Sequence, residues 1–147
     1  MALVERALFI VKPDAVKKGF SGPILKDVQA SGLKIIIQKK ISLSPDALAA
    51  LYKEHEGKPF YEKLIQFMSS GPVICAVVEG VNAVSRLREL MGSTMPSKAE
   101  PNSIRARYKG GSDIGPSGAV ENSVHGSADP AAAKREIKLI FGEEWSV

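Results

Sequence analysis

A short, uninterrupted apolar run near the start of the chain constrains the fold more than any other feature. Ala7-Leu8-Phe9-Ile10-Val11 shows no polar alternation, which is typical of a strand buried on both faces. The run ends at Lys12-Pro13, because proline cannot donate a hydrogen bond to a neighbouring strand. Lys12 is therefore predicted at the C-terminal end of a buried strand, in a sheet that helices must cover.

Glycine, proline and capping residues divide most of the remaining chain into helices and strands. Ser44 and Asn82 are predicted N-caps, and Asp129-Pro130 begins the last helix, which carries Ile137 and Ile140. Helices are predicted from Gly22-Pro23 to Gly32, from Ser44 to about Glu54, around Leu64-Phe67-Met68 and over 83–91, and further strands over 33–41 and 73–79. Residues 92–122 show no sustained apolar period and are predicted as a long irregular loop with at most one turn. This order predicts a single α+β domain over residues 1–147, a sandwich of helices on a small sheet.

The composition bounds the class of protein and its location. With 44% hydrophobic and 24% charged residues the chain fits a soluble globular protein, and no apolar run reaches the ~20 residues of a membrane span. The single cysteine, Cys75, is predicted to be buried, and the first residues lack the pattern of a signal peptide, so we expect a cytoplasmic protein. A net charge of +4 suits either nucleic acid or nucleotide phosphates as partners, and the charge alone does not choose between them.

Only two histidines are present, and they differ in context. His55 lies among charged residues near a helix end and is predicted to be a solvated surface residue. His125 lies between the long loop and a predicted helix N-terminus, where anions are attracted. It could accept a phosphoryl group on one ring nitrogen if Ser127 or Glu136 held the other. From these residues alone, a histidine that merely packs at the helix start explains the position equally well.

Several cations and polar groups could surround a phosphate, although each has a simpler explanation. Arg88 is predicted at the edge of an apolar helix stripe with a partner near the core, whereas Arg86 should point to solvent. Taken singly, Lys12 and Arg105 are best explained as solvated charges. Taken singly, Tyr52 and Phe60 are best explained as core residues, and Thr94 as a turn residue. The sequence has no P-loop motif and no zinc-ligand spacing.

Seven segments taken in order change this balance. They are Lys12-Pro13-Asp14, Tyr52, Lys58-Pro59-Phe60, Ser70-Gly71-Pro72-Val73, Gly92-Ser93-Thr94 with Pro96, Ile104-Arg105 and Asn122-Ser123-Val124-His125-Gly126-Ser127. The ordered set resembles the nucleoside diphosphate kinase family over nearly the whole chain. The Asn-x-x-His-Gly-Ser signature is its most specific part.

The resemblance implies a ferredoxin-like α/β sandwich with a four-stranded antiparallel sheet. In it the stretch around His125 would be a short fourth strand, and Lys138–Phe141 would belong to the last helix. It implies a ping-pong transfer of the γ-phosphoryl group from a nucleoside triphosphate to a nucleoside diphosphate through phosphorylated His125. It also implies Mg²⁺ carried by the nucleotide, with no metal ligands from protein side chains, and a homo-oligomer, either tetramer or hexamer.

The resemblance also assigns site residues. Lys12 and Arg105 would contact the transferring phosphate, and Arg88 and Thr94 would contact the neighbouring phosphates. Asn122 would contact the ribose, and Phe60 would stack on the base. Tyr52 would hydrogen-bond near the histidine, whose ring Glu136 and Ser127 would orient. Two departures are the glycine-rich stretch Lys109–Val120, which makes the spacing between Arg105 and His125 longer than usual, and Ala128 where the family more often has aspartate.

Two other function classes stay open. A basic ferredoxin-like domain could bind RNA through exposed aromatic residues on its sheet, but Phe9 lies in a buried run, so nucleic-acid binding is expected at most as a second activity. A phosphocarrier in a signalling relay would also use a histidine. It would not need Lys12, Thr94, Arg105 and Asn122 around a triphosphate.

Overall fold

The apolar run at residues 7–11 lies in β1, Val4–Val11, in the computed structural model, which describes residues 4–109 and 113–146. All five side chains of the run are fully buried, as the sequence predicts. Successive residues of a strand face opposite sides of the sheet, so both sides must be covered. β1 is therefore an inner strand with a core on each face.

The sheet has four antiparallel strands in the order β2-β3-β1-β4. The other three strands are β2 Lys34–Ile41, β3 Val73–Val81 and β4 Val124–Gly126. Ile10 of β1 pairs with His125 of β4, and the backbone N–H of Lys12 donates to the carbonyl of Ser123 at 2.8 Å. The predicted short fourth strand is confirmed, and its register brings His125 next to the end of β1.

Seven α-helices pack on the sheet in the part of the chain that the structure describes. They are α1 Pro13–Lys17, α2 Ser21–Ala30, α3 Pro45–Leu51, α4 Tyr61–Met68, α5 Ala83–Met91, α6 Ile104–Arg107 and α7 Pro130–Phe141. Phe9 of β1 packs in a cluster with residues of α2, α5 and α6, whereas Ile10 packs in a second cluster with residues of α3, α4 and α7. This arrangement is the predicted ferredoxin-like α+β sandwich.

Of the two predicted N-caps, that of Ser44 is present as a hydrogen bond, and Asp129, where the last helix was predicted to begin, caps its helix in the same way. Ser44 and Asp129 accept through their side chains from the backbone N–H groups of Ala47 and Ala132. The capping prediction for Asn82 was wrong in mechanism. Asn82 has a left-handed backbone (φ 53°) and its side chain caps nothing, and Glu5 of β1 accepts instead from Val84 N–H at 3.2 Å.

The segment from residue 92 to 122 is more regular than the sequence predicts. It contains a 3₁₀ turn, Pro96–Lys98, the four-residue helix α6, and an isolated β-bridge between Ile114 and Val120. Such short elements cannot show an apolar period, which explains why the pattern was missed. Residues 110–112 of the Lys109–Val120 stretch, with Gly110 and Gly111, lie outside the described residues.

Two smaller predictions are confirmed. Lys138–Phe141 belongs to α7, and Cys75 is buried in β3. Among the described residues no helix is both long and apolar enough to cross a membrane. Two further 3₁₀ turns, Lys53–His55 and Glu143–Trp145, follow α3 and α7.

Candidate active site

His125 is held through one of its two ring nitrogens. Its Nε2 lies 3.2 Å from Oε1 of Glu136, and Ser127 Oγ donates to the same oxygen at 2.8 Å. Ser127 is fixed in turn by the backbone N–H of Leu8, which donates to its Oγ at 3.0 Å. Because a carboxylate oxygen accepts hydrogen bonds, Nε2 carries the proton and Nδ1 keeps its lone pair. In the neutral imidazole, Nδ1 is therefore the ring nitrogen with an available lone pair.

Lys12 is not the solvated surface charge that the residue suggests on its own. It is 6% exposed, and its Nζ donates to Oδ1 of Asn122 at 2.8 Å. Asn122 is buried as well, and its Nδ2 donates to the backbone carbonyl of Thr94 at 3.0 Å. Burial, and next the charge of Arg105, lower the pKa of Lys12 to about 7, with Asp14 acting in the opposite direction. A buried ammonium of this kind is suited to an anionic ligand.

Arg105 is buried beside β4, so the solvated interpretation was wrong here too. Its Nη2 donates to the carbonyl of Val124 at 2.9 Å and its Nη1 to that of Gly92 at 3.1 Å, and its buried Nε has no partner among residues 4–109 and 113–146. Burial, followed by the charge of Arg88, lowers the pKa of Arg105 to about 10. The two carbonyls fix the guanidinium but supply no full negative charge.

A row of aromatic rings leads from His125 toward the surface. The Tyr52 ring meets the His125 ring edge-on, with 5.7 Å between the ring centroids. The centroid of the His55 ring lies 6.1 Å from that of Tyr52 and 5.3 Å from that of Phe60. Tyr52 is a core residue, as its pattern suggests, but Phe60 is 47% exposed and is not. His55 is half-buried, and its Nδ1 has no partner in the part of the chain that the structure describes, so its description as a solvated surface residue was wrong.

Tyr52 reaches the histidine with its ring and not through the expected hydrogen bond. Its Oη is buried and has no hydrogen-bond partner among the described residues. Burial, and then the charge of Glu136, raise the pKa of this phenol, so it stays neutral at physiological pH. The hydroxyl is thus a buried donor with no acceptor within 4–109 and 113–146.

The predicted orientations of the two arginines of α5 were wrong. Arg88 is exposed, whereas Arg86 is half-buried and donates to the carbonyls of Val81 and Ser31 at 3.1 and 2.8 Å. Arg86 and Arg88 both lie about 100° from inward-facing Leu87, on opposite sides of it, so the helix period does not decide between them, and the two carbonyls draw Arg86 inward. Arg88 still acts on Arg105 through its charge. Thr94 is exposed, and its carbonyl accepts from Asn122.

Comparisons with known proteins agree on one family. The family model for nucleoside diphosphate kinase matches residues 5–145. A nucleoside diphosphate kinase of Persephonella marina is 45% identical over 138 residues, which cover 94% of each chain. The solved nucleoside diphosphate kinase of Aquifex aeolicus superposes with a TM-score of 0.88 at 39% identity, covering 99% of this chain and 100% of that one. The chain belongs to the nucleoside diphosphate kinase family.

Membership of the nucleoside diphosphate kinase family establishes the activity. The chain transfers a phosphoryl group from a nucleoside triphosphate to a nucleoside diphosphate, and a ping-pong cycle through a phosphohistidine is the general mechanism of the family. A nucleoside diphosphate kinase of Borrelia burgdorferi, solved as a transition-state mimic with vanadate and ADP, also matches, with a TM-score of 0.89 at 31% identity, covering 97% of this chain and 89% of that one.

Sequence reasoning gave no role to two residues that lie at this kinase site. Asp14 is part of the Lys-Pro-Asp motif, is 6% exposed, and accepts a hydrogen bond from the backbone N–H of Ser123. His55 joins Tyr52 to Phe60 in the aromatic row. The position of Asp14 directly after a buried strand could have marked it, whereas nothing near His55 in the sequence indicated that its ring packs inward.

Proposed function

We propose that His125 is the nucleophile of the kinase reaction and that Nδ1 is the attacking atom. The observation that carries this proposal is the contact between Nε2 and Glu136, supported by Ser127, which leaves Nδ1 free. The ring lies against the end of β1, where Lys12 and Arg105 supply buried positive charge. Positioned cations of this kind are what phosphoryl transfer requires most.

In the first half-reaction, the Nδ1 lone pair attacks the γ-phosphorus of a nucleoside triphosphate. An N–P bond forms while the bond from the γ-phosphorus to the β–γ bridging oxygen breaks, and the nucleoside diphosphate leaves with that oxygen. The proton on Nε2 stays in place, and Glu136 balances the charge that the ring gains. In the second half-reaction, a terminal oxygen of another diphosphate attacks the phosphohistidine and restores Nδ1.

Lys12 and Arg105 are proposed to contact the transferring phosphate, with Arg88 and Thr94 on the neighbouring phosphates. Asn122 is proposed to reach the ribose. Support comes from the clustering of these residues around β4. Lys12 donates a hydrogen bond to Asn122, Asn122 donates to the backbone carbonyl of Thr94, and Arg105 donates to that of Val124. The Borrelia burgdorferi kinase with bound vanadate and ADP supports the same substrate class.

Phe60 is proposed to stack on the base. Its ring is 47% exposed at the outer end of the aromatic row, where a planar ligand can reach it. Stacking depends on the face of a base and not on its edge groups, so it suits a kinase that accepts several bases. Tyr52 is proposed to donate its unused Oη hydrogen near His125 once a phosphate is bound.

Mg²⁺ is proposed to arrive on the nucleotide. No group of three or more histidine, cysteine, aspartate or glutamate residues within 4–109 and 113–146 could hold a metal, and Lys12 and Arg105 are buried cations at the site. Mg²⁺ prefers oxygen ligands and often binds substrate phosphates, where it neutralises their charge. The side chains that hold the metal-bearing phosphates would be Lys12, Arg105 and Arg88.

Incubation with γ-labelled ATP tests the nucleophile. The protein should acquire one acid-labile label and pass it to several unlabelled nucleoside diphosphates. His125→Ala should take up no label, whereas His55→Ala, which changes the only other histidine, should still be labelled. Label that persists on His125→Ala would exclude the mechanism, and label that diphosphates cannot remove would favour a phosphocarrier.

Homo-oligomer formation, a cytoplasmic location and a single domain over residues 1–147 stay predictions. Light scattering with size-exclusion chromatography would distinguish a tetramer from a hexamer. Nucleic-acid binding through the sheet has no support, because Phe9 is fully buried between the sheet and its helices.

A further inference from the structure

A buried carboxylate with no assigned role lies next to the catalytic histidine's strand. Asp14, in the first turn of α1, is 6% exposed, and its Oδ2 accepts from the backbone N–H of Ser123 at 3.1 Å. Its Oδ1 is buried and unpartnered among the described residues. Burying a carboxylate is costly unless hydrogen bonds and nearby positive charge compensate it, so its presence calls for a function.

Ser123, the residue that Asp14 holds, is unusually constrained. Its φ of 70° is uncommon for a residue other than glycine and persists only where the surroundings impose it. Asp14 binds its N–H, the N–H of Lys12 donates to its carbonyl at 2.8 Å, and its own Oγ donates to the carbonyl of Tyr108 at 2.9 Å. The segment 12–14 therefore fixes both backbone groups of Ser123, two residues before His125.

Asp14 also acts on the buried charge of Lys12. Burial and Arg105 both disfavour the ammonium form of Lys12, and Asp14 is the group that favours it. Burial raises the pKa of Asp14 itself, against the lowering effect of Lys12. The other charged or titratable groups that face this pair are Arg105 of α6, Glu121 before β4, and His55 of the 3₁₀ turn after α3. Of the acidic residues that face the pair, Asp14 is the one that both favours the charged form of Lys12 and accepts a hydrogen bond from the Ser123 backbone.

We propose that Asp14 is a positioning residue for phosphoryl transfer, which fixes the Ser123 backbone ahead of His125 and balances the buried ammonium of Lys12. The inference rests on the roles proposed above for His125 and Lys12. Asp14 does not touch the reacting atoms in this arrangement. It holds the residue two positions before His125 against the end of β1, and it favours the charged form of Lys12 there.

Two substitutions separate the two effects. Asp14→Asn keeps an oxygen that can accept from Ser123 N–H but removes the charge, whereas Asp14→Ala removes both. Val28→Ala, in the core on α2, serves as a control that lowers stability away from the site. The measured quantity is kcat/KM for the phosphorylation of His125 by ATP, from pH 6 to 8.5. The temperature is chosen so that circular dichroism shows each variant to be folded.

The pH profile gives a readout that lost stability would not produce. The charge of Asp14 favours the ammonium form of Lys12, so its removal lowers the pKa of Lys12. For a shift of about one unit, about tenfold fewer Lys12 side chains are charged at pH values above that pKa. Asp14→Asn should be within about threefold of wild type at pH 6 and about tenfold slower at pH 8.5. Asp14→Ala should be slower than Asp14→Asn at both pH values. Val28→Ala should keep a constant ratio to wild type.

Two results would overturn the inference. One is a ratio of kcat/KM for Asp14→Asn to kcat/KM for wild type that does not change between pH 6 and 8.5. The other is equal rates for Asp14→Ala and Asp14→Asn at pH 6, which would remove the role of the Ser123 contact. If Asp14→Ala is not native, Asp14→Ser, whose hydroxyl is too short to reach Ser123, replaces it. Failure of the proposed function is separate, because it would appear as wild-type protein that ATP does not label.

Discussion

Oε1 of Glu136 lies 3.2 Å from Nε2 of His125, and it joins the last helix to the edge strand of the sheet. Glu136 is 2% exposed, and such a buried carboxylate must be compensated by its donors. Ser127 Oγ is the second donor to the same oxygen, at 2.8 Å. The pair therefore fixes the ring and selects which nitrogen is free to react.

Glu136→Gln should slow phosphorylation of His125 by about 10- to 100-fold. The hydrogen bond to a charged acceptor contributes about 1.5–3 kcal/mol, and the neutral amide cannot balance the positive charge that the ring gains. Single-turnover labelling by γ-labelled ATP measures this rate. Glu54→Gln is the matched control, because Glu54 is exposed and pairs with Arg135 on the outer side of the same helix. Wild-type rates in Glu136→Gln would contradict the role of this contact.

Nucleotide binding should take up a proton at Lys12. Its pKa in the free protein is lowered to about 7, chiefly by burial, so at pH 8 most Lys12 side chains are neutral. Bound phosphate favours the ammonium form and raises that pKa again, so up to about one proton is bound per site at pH 8, and affinity falls as pH rises above 7. Calorimetry with ADP in Tris and in HEPES, whose ionisation heats differ, measures the uptake.

Two variants control the calorimetric experiment. Lys12→Gln should lose the difference between the two buffers, whereas Lys40→Gln, on an exposed position of β2, should retain it. Any proton that the nucleotide itself exchanges appears equally in all three proteins. A difference between buffers that is the same for Lys12→Gln and wild type would show that Lys12 does not change its protonation.

Phe60→Ala should weaken binding of purine and pyrimidine nucleoside diphosphates alike. Loss of one stacked base costs about 1–3 kcal/mol, or about 5- to 150-fold in affinity. The folded protein should keep its stability because the ring is 47% exposed. Dissociation constants for ADP, GDP, CDP and UDP check the prediction, with Val4→Ala as a control at another exposed apolar position. A loss confined to one base would point to recognition of base edges and not to stacking.

The sequence predicts most of the framework because its signals are local. The apolar run 7–11, the proline at 13 and the caps at Ser44 and Asp129 act on their immediate neighbours, and the strand and helices lie where these signals place them. The short helix α6 was missed, since four residues cannot show a helical period. Local chemistry thus determines the elements but not every short one.

The site was predicted less completely, because its key contacts join distant residues. The partner of Lys12 is Asn122, 110 positions away, and Arg105 is fixed by the carbonyl of Val124 on another element. Burial of these cations follows from those contacts and from no pattern around either residue. Arg86 shows the same limit, since the carbonyls of Ser31 and Val81 turn it inward against its predicted direction.

Tyr52→Phe should separate stability from catalysis. The Tyr52 Oη is buried and has no partner among the described residues, so its removal should leave the free energy of unfolding unchanged or raise it by up to about 1 kcal/mol. The ring contact with His125 at 5.7 Å remains, but the donor proposed to act once phosphate binds is lost, so transfer should slow by about tenfold. Urea unfolding without nucleotide and single-turnover labelling measure the two effects. Tyr61→Phe, at the start of α4, is the control, and a large loss of stability in Tyr52→Phe alone would mean that Oη already has a partner in the free protein.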